Sequence, residues 1–331
     1  MTAISKIAVI GGGVIGGGWI ARFLQNGIDV AVFDPATDAK EKIEAVLANA
    51  DIAAQNLAIA NSPKPGNLNF CDTIVQAVVD VALIVEAVPE RLEIKKSVYE
   101  EIESAATTQA LIASSTSGLL PTELQKDLVN PERFLVAHPF NPVYLLPLVE
   151  LVGGKLTSAD TIEKAKLFYT DIGMRPLHVR KEIDAFIADR FLEAVWREAL
   201  WLVKDGVATT QEIDDAIIYG FGLRWAQMGL FETYRVAGGD KGMRHFIDQF
   251  GPCLSLPWTK LMDVPELTDE LSQTIADQSD AQSGHHSIRE LEQIRDKNLV
   301  DILKALRANH WGAGKTLAGY EESLSAVKLE N

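Results

Sequence analysis

Apolar and polar positions follow two alternating periodicities over the first 180 or so residues of the chain. Short, nearly continuous apolar runs predict strands, and unbroken runs are typical of strands buried on both faces. The predicted strands are Lys6–Ile10, Asp29–Phe33, Leu83–Val88, Ala110–Ser114, Phe134–Ala137 and Leu146–Val152. Apolar residues at helical spacing predict helices at Gly16–Gln25, Ala39–Ala60 and Glu93–Ala105. Strands that alternate with helices indicate a parallel α/β sheet.

From Ile183 the pattern becomes entirely helical. The predicted helices are Ile183–Lys204, Glu212–Tyr219, Gly242–Phe250, Glu266–Gln278 and Ile288–Arg307. A chain of 331 residues is long enough for two domains, because single cores rarely grow beyond about 250–300 residues. We therefore predict an α/β domain over residues 1–181 and an all-α domain over residues 182–331.

Charge and composition limit the classes of molecule that the protein can bind. The formal net charge of −15 argues against nucleic acid or an anionic membrane, since both require a basic face. No apolar run approaches the roughly 20 residues of a membrane span, and the N-terminus enters a strand without a signal-peptide pattern. Cys71 and Cys253 lie far apart without metal-ligand spacing, so we expect buried thiols, no metal and a cytoplasmic location.

A glycine-rich segment joins the first strand to the first helix as Gly11-Gly12-Gly13-Val14-Ile15-Gly16. It fits G-x-G-x-x-G, in which the first glycine permits a tight turn, the second a close approach to a pyrophosphate and the third helix–strand packing. The free N–H groups of the helix N-terminus favour phosphate. This context predicts a dinucleotide site in a Rossmann-type doubly wound sheet.

Asp34 ends the second strand, 18 residues after Gly16. A carboxylate there accepts hydrogen bonds from ribose hydroxyls but repels a 2′-phosphate. The following Pro35-Ala36-Thr37 supplies no arginine, so the sequence favours NAD over NADP. The expected cofactor contacts in this part of the chain are Gly11, Gly13, Val14, Ile15, Gly16 and Asp34.

Three polar residues lie where later strands end or turn: Ser117, His138 and Glu150. Ligands of open α/β sheets bind beyond the carboxyl ends of strands. A glutamate inside the apolar run Leu145–Val152 needs a partner, because a buried unpaired carboxylate costs several kcal/mol. Paired with His138, it would fix the imidazole tautomer and leave the other nitrogen to accept a hydroxyl proton. Ser117 could donate to the same substrate oxygen.

The chain resembles the 3-hydroxyacyl-CoA dehydrogenase family over nearly its whole length. The matching strings are Ile84-Val85-Glu86-Ala87-Val88-Pro89-Glu90, Ala113-Ser114-Ser115-Thr116-Ser117, Ala137-His138-Pro139-Phe140-Asn141-Pro142, Leu148-Val149-Glu150 and Ala185-Phe186-Ile187-Ala188-Asp189-Arg190-Phe191-Leu192. The resemblance implies hydride transfer from a 3-hydroxyl to NAD, with His138 as catalytic base, Glu150 as its orienting partner and Ser117 as a substrate contact. It also implies cofactor contacts at Ala87, Glu90, Lys95, Ser115 and Asn141, and a homodimer formed by the helical domain.

The chain departs from the family on the substrate side. Asp189 and Ser115 stand where the family typically has Asn, and the segment Met228–Thr233 differs from the family's pattern. Acyl-CoA members carry a lysine-rich excursion after the second strand, whereas Asp38–Gly66 has only three lysines among four acidic residues. A CoA phosphate would find little compensation there, so we expect a free small hydroxy acid.

Within the family, the strings 114–121, 141–147 and 224–235 are most similar to members whose 3-hydroxy acid substrate carries a trimethylammonium group. Aromatic faces bind such cations. The aromatic candidates are Tyr144, Trp196, Tyr219, Phe221, Trp225, Phe231 and Tyr234, of which we favour Tyr144, Trp225 and Phe231. Asp189 could face the cation. Arg190, Arg197, Arg224 and Arg235 compete for the substrate carboxylate, and Arg224 is the preferred candidate.

Two alternatives remain open. Another family activity, on an L-3-hydroxyacyl-CoA or on a sugar acid such as L-gulonate, would use the same His138 and Glu150. A non-catalytic structural protein that binds NAD belongs to a different class, and the intact Ser117, His138 and Glu150 set argues against it.

Overall fold

The computed structural model describes residues 4–59, 62–226, 229–238, 242–260, 266, 268–271, 273–274, 277 and 285–329. Within these residues the chain forms two compact units. The first contains Met1–Ile187 together with Gln293–Asn331, and the second contains Ala188–Glu292.

The first unit is built on one eight-stranded sheet. Its strands are β1 (Lys6–Ile10), β2 (Asp29–Phe33), β3 (Leu68–Phe70), β4 (Leu83–Glu86), β5 (Leu111–Ser114), β6 (Phe134–Pro139), β7 (Leu148–Val152) and β8 (Arg175–Val179). They lie in the order β3-β2-β1-β4-β5-β6-β7-β8. The first six run parallel, β7 is antiparallel to β6, and β8 is parallel to β7. The order of the first six is that of the Rossmann fold, which confirms the predicted fold class.

Helices of the first unit connect the strands, and two more follow near the end of the chain. They are α1 (Val14–Gln25), α2 (Ala39–Leu57), α3 (Ile74–Val78), α4 (Leu92–Ala105), α5 (Pro121–Leu124), α6 (Ala159–Asp171), α12 (Ile288–Ala308) and α13 (Gly312–Leu329). The helices of the second unit are α7 (Ala188–Lys204), α8 (Thr210–Ala216), α9 (Gly222–Trp225), α10 (Leu230–Ala237) and α11 (Gly242–Phe250). The sequence therefore correctly predicted an α/β part followed by helices.

Alternate residues of β1 enter two hydrophobic cores, one on each face of the sheet. Ile7 and Val9 pack with residues of α1, including Trp19 and Phe23. Ala8 and Ile10 pack with α3 and α4 on the other face. This burial explains why the strands read as nearly continuous apolar runs, because both faces exclude water.

The last helices pack on the first unit. Val300 and Leu303 of α12 join Ala21 of α1 and Leu57 of α2 in a third hydrophobic cluster. Arg307 Nη1 donates to the Leu57 carbonyl oxygen at 3.3 Å and pairs with Glu321 at 2.8 Å. We expected residues 182–331 to form one helical domain, but the structure groups residues 293–331 with the sheet. The difference arises because periodicity identifies a helix and not the surface on which it packs.

Several boundaries differ from the sequence prediction. β6 continues through Pro139, so His138 lies inside the strand and not after it. The helix predicted from Ile183 begins at Ala188, because Ala185 and Phe186 have φ values of 58° and 49°, which an α-helix does not accommodate. The helix predicted over Glu212–Tyr219 ends at Ala216 and continues as a π-helical turn. Five of the 13 residues of the predicted helix Glu266–Gln278 lie outside the described residues, and the described ones are helical at 269–271, 273–274 and 277.

The sequence prediction missed β3, β8, α3, α5, α6, α9, α10 and α13. β3 has only three residues, and two of them are exposed, so it shows no apolar run. β8 alternates exposed and half-buried positions at the edge of the sheet. Among the described residues, no helix is long and apolar enough to cross a membrane.

Candidate active site

The glycine loop has the geometry that a dinucleotide requires. Gly11 has a φ of +99°, and a Cβ there would lie 2.5 Å from the Ala87 carbonyl oxygen. A Cβ on Gly16 would lie 1.8 Å from the Gly11 carbonyl oxygen, so α1 packs closely on the turn only because both residues lack side chains. Gly13 is the N-cap of α1 without a side-chain cap, and open space adjoins its Cα. The N–H groups of the first helical turn therefore face space that a pyrophosphate could fill.

Asp34 follows β2 and faces this loop. Its Oδ2 accepts a hydrogen bond from the Gly12 N–H at 2.6 Å, and its Oδ1 accepts one from the Ala36 N–H at 2.8 Å. The carboxylate is thereby fixed beside the loop, where it suits ribose hydroxyls and opposes a 2′-phosphate. The residues present fit NAD.

His138 and Glu150 form a buried pair across β6 and β7. The two residues are directly opposite in the antiparallel register, and His138 Nδ1 lies 2.9 Å from Glu150 Oε2. Glu150 is fully buried and His138 is 4% exposed. Because a carboxylate only accepts hydrogen bonds, Nδ1 carries the proton of this bond. Proton exchange with a substrate therefore falls to Nε2.

The segment after β8 completes the surroundings of this pair. The Ile187 N–H donates to Glu150 Oε1 at 2.9 Å, so each carboxylate oxygen accepts a hydrogen bond. The ring of His138 contacts Phe186 and Phe140, with centroids 5.6 Å and 5.0 Å away. Aromatic walls limit water access and strengthen the electrostatic interaction within the pair.

Glu90 holds the loop that carries Ser117. Its Oε1 accepts hydrogen bonds from the Thr116 hydroxyl and from the N–H groups of Ser117 and Gly118, at 3.1 Å and 3.3 Å for the last two. Its Oε2 lies 3.3 Å from Lys95 Nζ. These contacts fix the backbone of Ser117 and leave its side chain on the exposed surface.

Behind Glu90 lies a second buried carboxylate, Glu86, at the end of β4. Its Oε1 accepts from Lys95 Nζ at 2.7 Å and from the Val88 N–H at 2.9 Å. Its Oε2 accepts from the Tyr99 and Ser114 hydroxyls, both at 2.6 Å. The Lys95 side chain is only 1% exposed. Lys95 therefore bridges the buried Glu86 and the 45% exposed Glu90, and the cofactor contact that the family resemblance implied for it stays a prediction.

This network shifts two pKa values. Burial alone would raise the pKa of Glu90, but the Thr116 hydroxyl and the Lys95 ammonium outweigh it and hold that pKa below the ordinary glutamate value. Burial and the neighbouring Glu86 carboxylate raise the pKa of Tyr99 well above its ordinary value. Glu90 is thus ionised and Tyr99 neutral at physiological pH.

Ser115 lies directly after β5, and its Oγ accepts a hydrogen bond from Trp19 Nε1 at 3.0 Å. Ala87 follows β4 and contacts the glycine loop, and Asn141 is exposed two residues after the end of β6. The expected cofactor residues Gly13, Asp34, Ala87, Ser115 and Asn141 thus follow the carboxyl ends of β1, β2, β4, β5 and β6. This is the edge at which open α/β sheets bind ligands.

Tyr144 lacks the exposed ring face that an aromatic residue needs to bind a cation. It is 7% exposed and packs in the hydrophobic cluster that contains Val300 and Leu303. Its hydroxyl donates to Asp296 Oδ2 at 2.5 Å. Because its ring is buried in this cluster and its hydroxyl is bonded to Asp296 of α12, Tyr144 packs α12 onto the rest of the first unit.

The other substrate candidates lie in the second unit. Asp189 is half-buried in the first turn of α7, and Arg224 is exposed in α9. Trp225 is 41% exposed and packs edge-on against Phe221 at 4.7 Å, whereas Phe231 is 73% exposed. The remaining candidates Arg190, Arg197, Trp196, Tyr219, Tyr234 and Arg235 also belong to this unit. Met228 of the altered segment lies outside the described residues.

Sequence reasoning did not single out Glu86, Tyr99 or Trp19. A signal for Glu86 was present, because it interrupts the apolar run Leu83–Val88 as Glu150 interrupts its own strand. Each of these buried carboxylates needs a partner. For Tyr99 and Trp19 the sequence carries no such signal, since their partners are distant in the chain.

Comparison with known proteins defines the class. Residues 6–183 match the 3-hydroxyacyl-CoA dehydrogenase NAD-binding domain, and residues 186–275 match the C-terminal domain of the same enzymes. The chain belongs to the 3-hydroxyacyl-CoA dehydrogenase family. The predicted family, NAD as cofactor and the dehydrogenase class are thereby confirmed.

Individual relatives give a finer comparison than the family as a whole. The chain is 62% identical over 326 residues to an L-carnitine dehydrogenase/betainyl-CoA thioesterase of Ruegeria pomeroyi, covering 98% of this chain and 67% of the relative. It is 56% identical to an L-carnitine dehydrogenase of Mesorhizobium japonicum, covering 99% and 91%. A solved structure, the NAD⁺-dependent dismutase 5-formyl-3-hydroxy-2-methylpyridine 4-carboxylic acid 5-dehydrogenase, superimposes with a TM-score of 0.80 at 30% identity, covering 92% and 98%. The chain thus spans about two thirds of the bifunctional relative.

Proposed function

We propose that the protein oxidises L-carnitine to 3-dehydrocarnitine with NAD as the hydride acceptor. Two observations support this substrate. Relatives named L-carnitine dehydrogenase align with 98–99% of the chain at 56–62% identity. The scarcity of lysines in Asp38–Gly66 also predicted a free hydroxy acid, and the resemblance of the strings 114–121, 141–147 and 224–235 implied a trimethylammonium group on it.

The observation that carries the reaction type is the His138–Glu150 pair. An imidazole at the carboxyl edge of the sheet, held by a buried carboxylate at 2.9 Å, is a general base whose tautomer is already set. Glu150 cannot act on substrate itself, because it is fully buried and both of its oxygens accept hydrogen bonds.

In the proposed reaction, His138 Nε2 accepts the proton of the substrate C3 hydroxyl as the C3–H bond breaks and the C–O bond becomes a carbonyl. NAD, when bound, takes up the hydride that leaves C3. Glu150 stabilises the imidazolium that forms, because its negative charge lies beside Nδ1. Ser117, whose backbone Glu90 holds, donates a hydrogen bond to the substrate oxygen. The loop after Gly11 and the carboxylate of Asp34 hold the cofactor.

Substrate recognition is proposed for the second unit. Exposed aromatic faces at Trp225 and Phe231 suit the trimethylammonium group, since such contacts are worth roughly 0.5–2 kcal/mol each. Asp189 adds a negative charge, and Arg224 is the proposed partner of the substrate carboxylate. Tyr144, once a candidate, is assigned a packing role.

Comparative assay of NAD reduction with L-carnitine, L-gulonate and 3-hydroxybutyryl-CoA tests the substrate. We expect kcat/KM for L-carnitine to exceed the other two by at least about 100-fold. A preference for either competitor contradicts the proposed substrate but leaves the dehydrogenase class intact. Tight NADH binding without turnover of any of the three would favour a structural role.

The substitution His138→Gln tests the proposed role of His138 as the general base. It should lower kcat by several orders of magnitude while the Kd for NADH changes less than twofold, because His138 acts on the hydroxyl proton and not on the dinucleotide. Turnover near the wild-type rate would refute the role of His138.

We propose that residues 1–181 bind NAD. We further propose a homodimer formed through the helices of the second unit. Large apolar side chains of α7 support this, since Leu192 and Trp196 are 58% and 55% exposed and one helical turn apart. Sedimentation should show a wild-type dimer, with Leu192→Glu/Trp196→Glu shifted toward monomer. Val129→Glu, at an 81% exposed site of the first unit, is the matched control. A monomeric wild type would overturn the proposal.

A cytoplasmic location is proposed as well, and the two free cysteines are consistent with a reducing compartment. Cell fractionation with an activity assay tests it.

A further inference from the structure

A fully buried indole lies beneath the predicted nicotinamide end of the cofactor site. Trp19 belongs to α1, one turn after Gly16, and is 0% exposed. Its ring stacks on Phe23 and tilts against Tyr169, with both centroids at 5.4 Å. The indole is fully buried against two aromatic rings, which hold its orientation, and its Nε1–H donates to Ser115 Oγ at 3.0 Å.

A backbone hydrogen bond also fixes the position of Ser115. Its N–H donates to the Glu86 carbonyl oxygen at 2.8 Å, which continues the pairing of β5 with β4 by one residue. The side chain is half-buried. Because Oγ accepts the Trp19 N–H, the hydroxyl hydrogen must point away from the indole. Among the described residues, no hydrogen bond donated by this hydroxyl is found.

The strand order assigns Ser115 to one half of the cofactor. Asp34, which suits the adenosine ribose, follows β2, whereas Ser115 follows β5, the neighbour of the strand that carries His138. Hydride transfer requires the nicotinamide to lie near the catalytic base. Ser115 therefore lies on the nicotinamide side of the sheet.

We propose that Trp19 is a positioning residue that makes the Ser115 hydroxyl a dedicated hydrogen-bond donor to an oxygen of the nicotinamide half of NAD. A serine hydroxyl in water rotates freely and both donates and accepts. When a fixed N–H occupies one of its two lone pairs, the hydroxyl hydrogen is excluded from that direction, so the group loses less freedom when the cofactor binds. The inference rests on the proposed NAD-dependent function and extends it to a residue that does not touch the cofactor.

A double-mutant cycle on NADH binding tests the coupling. The Kd is measured by calorimetry for the wild type, Ser115→Ala, Trp19→Phe and the double variant. We expect Ser115→Ala and Trp19→Phe each to weaken binding by about three- to tenfold, the range typical of one hydrogen bond. The double variant should match Ser115→Ala within twofold, because without the hydroxyl the indole N–H has nothing to orient. Multiplied losses in the double variant, or an unchanged Kd in Trp19→Phe, would overturn the proposal.

AMP separates positioning from general loosening of α1. It is the adenosine half of NAD and carries no oxygen of the nicotinamide half, so its Kd should stay within twofold of the wild-type value in all three variants. Equal weakening of AMP and NADH would show that Trp19 only supports the glycine loop. Trp258→Phe, at a 70% exposed site of the second unit, is the control for a tryptophan change as such.

If Trp19→Phe does not fold, the benzothienyl isostere of tryptophan can be incorporated at position 19. It fills the same volume and replaces only the N–H by sulfur, so it should weaken NADH binding as Trp19→Phe would, and wild-type affinity would refute the role of the N–H. A wild type that binds no NADH would instead contradict the proposed function.

Discussion

Glu86 and Glu150 are both fully buried in the sheet, yet their surroundings suit different tasks. Glu86 accepts four hydrogen bonds, one of them from the ammonium of Lys95. Its charge is balanced permanently, so it anchors the structure. Glu150 faces an imidazole, whose charge changes when it takes up a proton. In the proposed reaction, Glu150 therefore stabilises His138 while its imidazole is transiently positive.

Glu150→Gln tests this difference. The amide keeps the size of the side chain but removes the negative charge that stabilises the imidazolium and selects its tautomer. We expect kcat for L-carnitine to fall by about 10²- to 10⁴-fold, as when a triad aspartate is replaced by asparagine. The Kd for NADH should change less than twofold. Steady-state kinetics and calorimetry measure the two, and a kcat within threefold of wild type would contradict the assigned role.

Lys95→Met tests the anchoring network. Removal of the ammonium leaves Glu86 buried without its cation, which should lower the free energy of unfolding by about 3–5 kcal/mol. Glu86→Gln/Lys95→Met removes both charges and should recover most of that loss. Urea denaturation measures both variants. Equal destabilisation of the single and double variants would show that the loss comes from packing and not from the unpaired charge.

The pH dependence of stability tests Glu90. Its pKa is lowered in the folded protein, so its contribution is present above the ordinary glutamate pKa and is lost as the pH falls through the lowered value. Glu90→Gln should therefore lower Tm at pH 7, and the difference from wild type should shrink as the pH falls below the ordinary glutamate pKa toward the lowered value. Thermal melts between pH 3 and pH 7 measure this, and a pH-independent difference would argue against the ionised contact.

At the scale of elements, the antiparallel direction of β7 brings His138 and Glu150 together. Because β7 runs antiparallel to β6, Glu150 lies directly opposite His138 although the two are 12 residues apart. A register slip of one residue would turn Glu150 to the other face of the sheet. The connecting segment is held by Arg22, whose Nε and Nη2 donate to the Val143 carbonyl oxygen at 3.1 Å and 2.9 Å. Burial lowers the pKa of Arg22 to about 10, which leaves it charged at neutral pH.

Tyr144→Phe tests the packing role of this segment. The change removes a hydrogen bond to Asp296, which is only 6% exposed, and should lower the free energy of unfolding by about 1–3 kcal/mol. The KM for L-carnitine should stay within twofold of the wild-type value. A tenfold rise of KM at unchanged stability would instead return Tyr144 to the substrate site.

At the scale of the whole molecule, the chain leaves the first unit at Ala188 and returns to it at Gln293. The returning residues cover apolar surface on α1 and α2, including Ala21, Ala53 and Leu57. The first unit is therefore not completed by the contiguous N-terminal part of the chain.

Truncation after residue 292 tests this dependence. It exposes the third hydrophobic cluster, so Tm should fall by several degrees and binding of a hydrophobic dye should increase. Thermal melts and dye fluorescence measure the two effects. A truncated protein with the Tm of the full chain would show that the returning helices contribute nothing to the first unit.

Much of the site could be predicted from the sequence. The glycine loop, Asp34 and the strands around them follow from local patterns, since a parallel strand buried on both faces must be apolar and a pyrophosphate turn must lack side chains. The partnership of His138 with Glu150 followed from the cost of an unpaired buried carboxylate. Tyr144 could not be assigned in this way, because a buried packing aromatic and a ligand-binding aromatic look alike in sequence.

The sequence by itself determined the fold class, the cofactor and the pairing of His138 with Glu150, because each depends on local periodicity or on chemistry that needs one residue type. The tertiary structure alone decided which distant groups meet. It placed Lys95 between two glutamates, Trp19 on Ser115 and α12 on α1 and α2. Contacts between residues far apart in the chain depend on the geometry of packing, which no local pattern encodes.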